Sequence, residues 1–152
     1  MLKKSNSKYI IIVGCGRLGS YLANRFSHTG HSVVVIDGKT ESFEKLSLHF
    51  SGFKIEGDAT ELQVLKQAKI DRADLLLATT ERDNINLMVA QVAQKIFKVP
   101  HVMARVYIPD RENIYRDLGI ETICPTTIVG DLVADLYMEG LVHDRKNEGV
   151  SG

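Results

Sequence analysis

The chain has 152 residues, with 19 Lys and Arg against 19 Asp and Glu, and 44% of its residues are hydrophobic. That length fits one domain with a sizeable core and leaves no room for a second catalytic domain beside a nucleotide-binding one. A balanced charge argues against a dedicated nucleic-acid binder, which carries a basic field. The apolar runs are far shorter than the roughly 20 residues that cross a bilayer, and the polar start has no signal-peptide apolar region. Two cysteines, Cys15 and Cys124, are too few for a disulfide framework. The expectation is a soluble, cytosolic, single-domain protein: a flexible start over 1–7, a folded domain over 8–142, and a polar tail over 143–152.

In chain order, residues 8–13 (KYIIIV) read as a strand buried on both faces. Leu18, Leu22 and Phe26 then recur every four residues and share one helix face. A second strand covers 32–36 (SVVVI), a short helix 40–48, a weaker strand 52–56, and another short helix 61–68. Strand 73–78 follows, then a helix over 83–97 whose apolar stripe is Ile85, Val89, Val92, Ala93 and Ile96. Strand 101–106, a helix over 110–118, a weak strand at 120–123 and a helix over 126–142 complete the pattern. This alternation predicts an α/β, Rossmann-type doubly wound fold: a mainly parallel six-stranded sheet with helices on both faces.

The last helix carries Ile128, Val129, Leu132, Val133, Leu136, Tyr137 and Leu141, an apolar surface wider than one stripe. Either it lies on its own sheet, or its far end (137–142) packs on a second subunit.

Directly after the first strand comes Gly14-Cys15-Gly16-Arg17-Leu18-Gly19, a GxGxxG between a buried strand and an amphipathic helix. Gly14 permits the tight turn, Gly16 lets a phosphate approach the backbone, and Gly19 allows close helix–strand contact. The phosphate would meet free N–H groups and the positive end of the helix dipole. Asp37 ends the next strand, 18 residues after Gly19, with Gly38 beyond it. A carboxylate there accepts from ribose hydroxyls and repels a 2′-phosphate, which disfavours NADP. Arg17 has two readings: a cation beside the phosphates or reaching a neighbouring subunit, and a solvated first-turn arginine.

Two further segments sharpen this. Gly57-Asp58-Ala59-Thr60 follows the third strand, and Ala78-Thr79-Thr80 ends the fourth, ahead of Asp83 and Asn86-Leu87-Met88. With the glycine motif, Asp37 and Ala104-Arg105-Val106, their order resembles the TrkA-N domain (KTN, or RCK N-terminal) of Trk/Ktr potassium-uptake regulators, over roughly 8–135. The resemblance implies a regulator and no catalyst. It also implies a homodimer or higher ring, with or without a companion regulatory chain, held on the cytoplasmic side of the inner membrane by a potassium transporter subunit without inserting itself.

The implied ligand is an adenine nucleotide (AMP, ADP or ATP) or NAD(H), with Arg17 favouring a terminal phosphate. By position, the glycine motif from Gly14 to Gly19, including Cys15, Arg17 and Leu18, would hold phosphates, and Asp37 and Gly38 the ribose. Asp58, Ala59 and Thr60 would lie by the adenine, Thr79 and Thr80 would line the crevice, and Arg105 would face it. Plainer readings stay open: a loop cap for Asp58, a helix cap for Thr60, an ion pair for Arg105.

This chain has Pro125-Thr126 where many members have Pro-Glu, and it lacks the smaller C-terminal domain of many relatives, so a stand-alone subunit is expected. The alternative is an NAD(H)-dependent oxidoreductase or redox-sensing Rossmann protein. Against the enzyme, no tyrosine has a lysine four residues on, so the short-chain dehydrogenase pair is absent. His28 and His31, lacking a Cys or carboxylate cluster, read as a surface turn, so no catalytic or metal residue is assigned.

Overall fold

The computed structural model describes residues 6–148. The expected N-terminal segment therefore lies mostly outside the described residues, as do the last four residues of the tail.

Six strands form one sheet in the order β3-β2-β1-β4-β5-β6: β1 (Tyr9–Val13), β2 (Ser32–Asp37), β3 (Phe53–Glu56), β4 (Leu75–Ala78), β5 (His101–Arg105) and β6 (Glu121–Ile123). Every pairing is parallel, with Ile12 opposite Val35 on one side and Leu77 on the other. The order runs outward from β1 in both directions, so the chain reverses between β1 and β4. In an open parallel sheet, that reversal opens a crevice at the strand C-termini.

β1 and β2 occupy the interior because all but their end residues are β-branched and apolar. Ile10, Ile11, Ile12, Val13, Val33, Val34, Val35 and Ile36 are each at most 3% exposed. Burying such a side chain is worth roughly 1.5–3 kcal/mol. Strand alternation splits them between two layers. Ile11, Val13, Val34 and Ile36 pack with residues of α2 (Leu62–Gln67) and α3 (Asp83–Gln91). Ile10, Ile12, Val33 and Val35 face α1 (Arg17–His28), where Ala23 is fully buried and Leu22 and Phe26 partly so. α1 stops where Gly30 takes a left-handed φ of 87°.

Three helical expectations change. Segment 40–48 holds a short 3₁₀ turn, Thr40–Lys45, instead of an α-helix. Phe43 and Leu46 are the buried pair, and a three-residue turn aligns positions i and i+3. α3 widens into a π-helical turn at Val92–Ile96, which rotates the expected stripe so that Ile96 is 62% exposed. The last helix, α5 (Pro125–Glu148), does not lie on its own sheet and runs past residue 142 into the expected polar tail. Ile128, Val129, Leu132, Val133, Leu136, Tyr137 and Met138 are all more than half exposed. The short α4 (Glu112–Asp117) precedes β6. Cys15 and Cys124 are both free and buried, as small core residues.

Candidate functional site

The turn after β1 is built from three glycines that do different jobs. Gly14 has φ +100°, and a Cβ there would sit 2.8 Å from the Thr80 amide nitrogen. Only glycine meets both conditions. A Cβ on Gly19 would collide with the Gly14 carbonyl oxygen, so α1 crosses the turn at backbone contact. Gly16, the residue that caps α1, is the opposite case: a Cβ there meets nothing within 4 Å. The space outside Gly16 is open, and the first N–H groups of a helix have no helical acceptor.

Asp37 closes one side of this opening. Its Oδ2 accepts from the Cys15 amide at 2.8 Å and its Oδ1 from the Lys39 amide at 2.8 Å. Each oxygen keeps lone-pair capacity for a ligand hydroxyl. The Cys15 side chain is buried in the α1 layer. Burial, reinforced by the Asp37 charge, pushes its thiol above the ordinary value. Leu18 is half-buried, while Arg17 is exposed on the first turn of α1 with no ion pair among the described residues.

The loop after β3 lies alongside. The Gly57 amide donates to the Asp37 carbonyl at 3.0 Å, and Gly38 stands beside it, exposed. Asp58 Oδ1 accepts from the Thr60 amide at 2.9 Å and the Thr60 hydroxyl at 2.7 Å. Those two bonds, helped by the charge of Arg82, hold the exposed Asp58 carboxyl below its ordinary range. The loop-cap reading of Asp58 is therefore correct. The helix-cap reading of Thr60 is not: α2 starts from Glu61 with no side-chain cap, and the Thr60 hydroxyl serves Asp58. Ala59 is a core residue.

On the other side, Thr79 and Thr80 separate. Thr79 is 2% exposed, and its hydroxyl lies 3.1 Å from the Val13 and Gly14 carbonyls, bracing the glycine turn from below. Thr80 is held through its amide (2.9 Å), hydroxyl (2.6 Å) and carbonyl (2.9 Å) by the side chain of Asn86. The Asn86 amide also donates to the Arg105 carbonyl at 3.0 Å, tying the end of β5 to the end of β4. Arg105 makes no ion pair among the described residues. Its guanidinium carbon lies 5.8 Å from the Tyr107 ring centroid, and its Nε is buried without a hydrogen-bond partner.

Hydrogen bonds thus tie the glycine turn to Asp37 through the Cys15 amide and to the Thr79 hydroxyl, and tie Thr80 to the Arg105 carbonyl through Asn86. Asp58, Ala59 and Thr60 stand on the far side of Asp37. Sequence reasoning missed the holding roles of Asp83 and Asn86 on the first turn of α3. Asp83, 4% exposed, accepts from the Tyr107 amide at 2.7 Å and the Ile108 amide at 3.3 Å, and pairs with Arg111 at 3.3 Å. The available signal was Asp83 and Asn86, two short polar residues three apart and so on one face of the first turn of α3. His31, from the histidine pair, is a structural acceptor: its Nδ1 takes the Lys8 amide at 3.1 Å.

The family model for the TrkA-N domain matches residues 10–126. The chain belongs to this family. Among curated relatives, the Trk system potassium uptake protein TrkA of Streptomyces coelicolor is 38% identical over 123 residues, 81% of this chain and 55% of that protein. The TrkA homolog of Pyrococcus abyssi is 34% identical over 110 residues, 72% of this chain and 48% of its own length. This TrkA-N chain therefore spans about half the length of those relatives.

Solved structures agree on the fold. The TrkA-N domain of the inner membrane protein ybaL from Escherichia coli superposes with a TM-score of 0.75 at 17% identity, covering 87% of this chain and 98% of that one. The Kef C-terminal domain of Shewanella denitrificans, in its AMP-bound form, gives 0.71 at 22%, covering 88% and 80%.

Proposed function

We propose that this TrkA-N domain is the nucleotide-binding regulatory part of a Trk-type potassium uptake system. It takes an adenine nucleotide (AMP, ADP or ATP) or NAD(H) in the crevice and passes the bound state to a membrane potassium transporter. The observation that carries this reading is the open position outside Gly16, at the start of α1 and beside the carboxylate of Asp37. A phosphate there meets unpaired N–H groups and the positive end of the helix. The adenosine ribose lies toward Asp37, and the base toward residues 57–60.

Relatives support the ligand class. Solved neighbours include a Kef domain bound to AMP and the GsuK channel bound to ADP and to NAD. Arg17 on the first turn and Arg105 with its unpartnered Nε supply positive charge for phosphates. The domain senses its ligand and does not transform it. The side chains ringing the crevice hold backbone: Thr79 the glycine turn, Asn86 the ends of β4 and β5, and Asp83 the loop at Tyr107.

Assembly completes the proposal. The uncovered apolar side of α5, from Ile128 to Met138, supports a dimer or ring at the cytoplasmic face, attached through the transporter. The deciding experiment is calorimetric titration of nucleotide-free protein with AMP, ADP, ATP, NAD and NADH, alongside absorbance at the nicotinamide band. Saturable binding without turnover is expected; no binding by any of the five overturns the proposal.

A further inference from the structure

The outer edge of β3 has no strand beside it. β3 ends the strand order, and among the described residues nothing pairs with its far side. Phe53, Lys54 and Glu56 are exposed and Ile55 is half-buried. Neither Lys54 nor Glu56 makes an ion pair among the described residues. An open edge is a template for another strand, and folded proteins block it with charge, most often lysine. Here the block is offset two residues on, where Glu56 follows Lys54 on the same face.

The backbone fixes which residues can pair. β3 runs parallel to β2 with Ile55 beside Ile36, and the Gly57 amide donates to the Asp37 carbonyl at 3.0 Å. Along a strand, the N–H and C=O of one residue point to one side and those of the next to the other. Phe53, Ile55 and Gly57 therefore bond inward to β2, and Lys54 and Glu56 present their N–H and C=O outward. A second copy lying antiparallel bonds through the same residues. Placing Lys54 on Lys54, or Glu56 on Glu56, sets like charges directly opposite, which destabilises a pair. The remaining register, centred on Ile55, sets Lys54 against Glu56 of the second copy and Glu56 against its Lys54. Each is a hydrogen-bonded pair that exchanges both N–H···O bonds, and each joins opposite charges.

The same register suits the other face of the sheet. Ile55, packed on the α2 and α3 layer, meets its own copy across the axis. Phe53 shares that face and is exposed. It falls opposite Gly57 of the second copy, which has no side chain to obstruct the ring.

We propose that β3 is a self-pairing edge: a second copy of this chain adds its own β3 antiparallel, in register about Ile55, and continues the sheet across a two-fold axis. Backbone bonds supply the attraction, and the Lys54–Glu56 pairs set the register. β3 stands at the opposite end of the sheet from β6, which leads into α5. This contact and one through α5 therefore fit in the same assembly, and together they carry it beyond a pair.

The test places Ile55→Cys in the full chain and follows the intermolecular disulfide formed under oxidised glutathione. Residues opposite one another at a non-hydrogen-bonded position lie about 4.5 Å apart between Cα atoms, within reach of a disulfide. The native Cys15 and Cys124 are buried. The Ile55→Cys protein is expected to cross-link to a dimer. Adding Lys54→Glu or Glu56→Lys is expected to slow cross-linking about threefold or more, and adding both together to restore it. Without the cysteine, sedimentation of wild type and Lys54→Glu reads the same contact, with weaker self-association expected in the variant. No cross-link through residue 55, a rate indifferent to the single charge reversals, a double reversal as slow as the singles, or equal self-association overturns the proposal.

Discussion

α1 and α5 both follow a parallel strand of the same sheet, yet the fold holds their first turns in opposite ways. α1 starts on a backbone crossing with no clearance at Gly14 and Gly19, the Thr79 hydroxyl beneath it and Asp37 holding the Cys15 amide. Behind it lie Ile10, Ile12, Val33 and Val35 of β1 and β2, each at most 2% exposed. α5 starts on the Thr127 hydroxyl at the Glu112 carboxylate and the buried Cys124 carbonyl, and then projects apolar side chains that stay more than half exposed. The rigid entry suits a site where phosphate geometry must be preorganised. The lightly held one suits an element that changes direction or finds its packing on another chain.

The comparison breaks first in the core. Ile12→Ala removes a fully buried side chain beneath α1 and should cost about 2–5 kcal/mol. Leu132→Ala on α5 should change dilute-solution stability by no more than about 0.5 kcal/mol. Urea unfolding of the two variants measures both; similar losses would erase the distinction. Gly19→Ala comes next, at about 3 kcal/mol, the upper end of ordinary overpacking, because the obstacle is the Gly14 carbonyl. Asn86→Ala strips the hydrogen-bonding side chain from the Thr80 and Arg105 carbonyls and should cost about 2 kcal/mol. It should also weaken nucleotide binding, because both ends of the crevice wall loosen.

The smallest effect is the pH dependence at Asp58. Thr60 holds its folded pKa below the unfolded value. The stabilisation is therefore complete above the unfolded carboxylate range and is lost as pH falls through the folded value. Wild type and Asp58→Asn should differ slightly in urea midpoint above about pH 5 and converge toward about pH 2. The difference is small because the carboxylate faces solvent.

The rigid half was the legible half. Continuous β-branched runs can only be interior parallel strands, so β1, β2 and the six-stranded sheet were readable, as were the glycine turn and the position of Asp37. Roles at the strand ends were less so. Thr79 and Thr80 are adjacent letters, but one braces the turn and the other meets Asn86, a division set by which way each side chain leaves β4. Asp83 and Asn86 read as parts of a motif, since their partners lie up to 28 residues away across the fold. The placement of α5 was beyond reach for a different reason. An apolar helix surface states that something covers it, not what. The 3₁₀ turn at Thr40–Lys45 was missed because Phe43 and Leu46 fit either helical spacing.

Gly16→Ala tests the central claim most directly. Its Cβ enters the open space where a phosphate is proposed, and it touches no protein atom within 4 Å. In one series, urea unfolding and AMP titration would be measured for wild type and variant. The account predicts a stability change within about 0.5 kcal/mol and at least a tenfold loss of affinity, about 1.4 kcal/mol. Unchanged affinity in a stably folded Gly16→Ala protein would contradict a phosphate at the start of α1, and with it the nucleotide site.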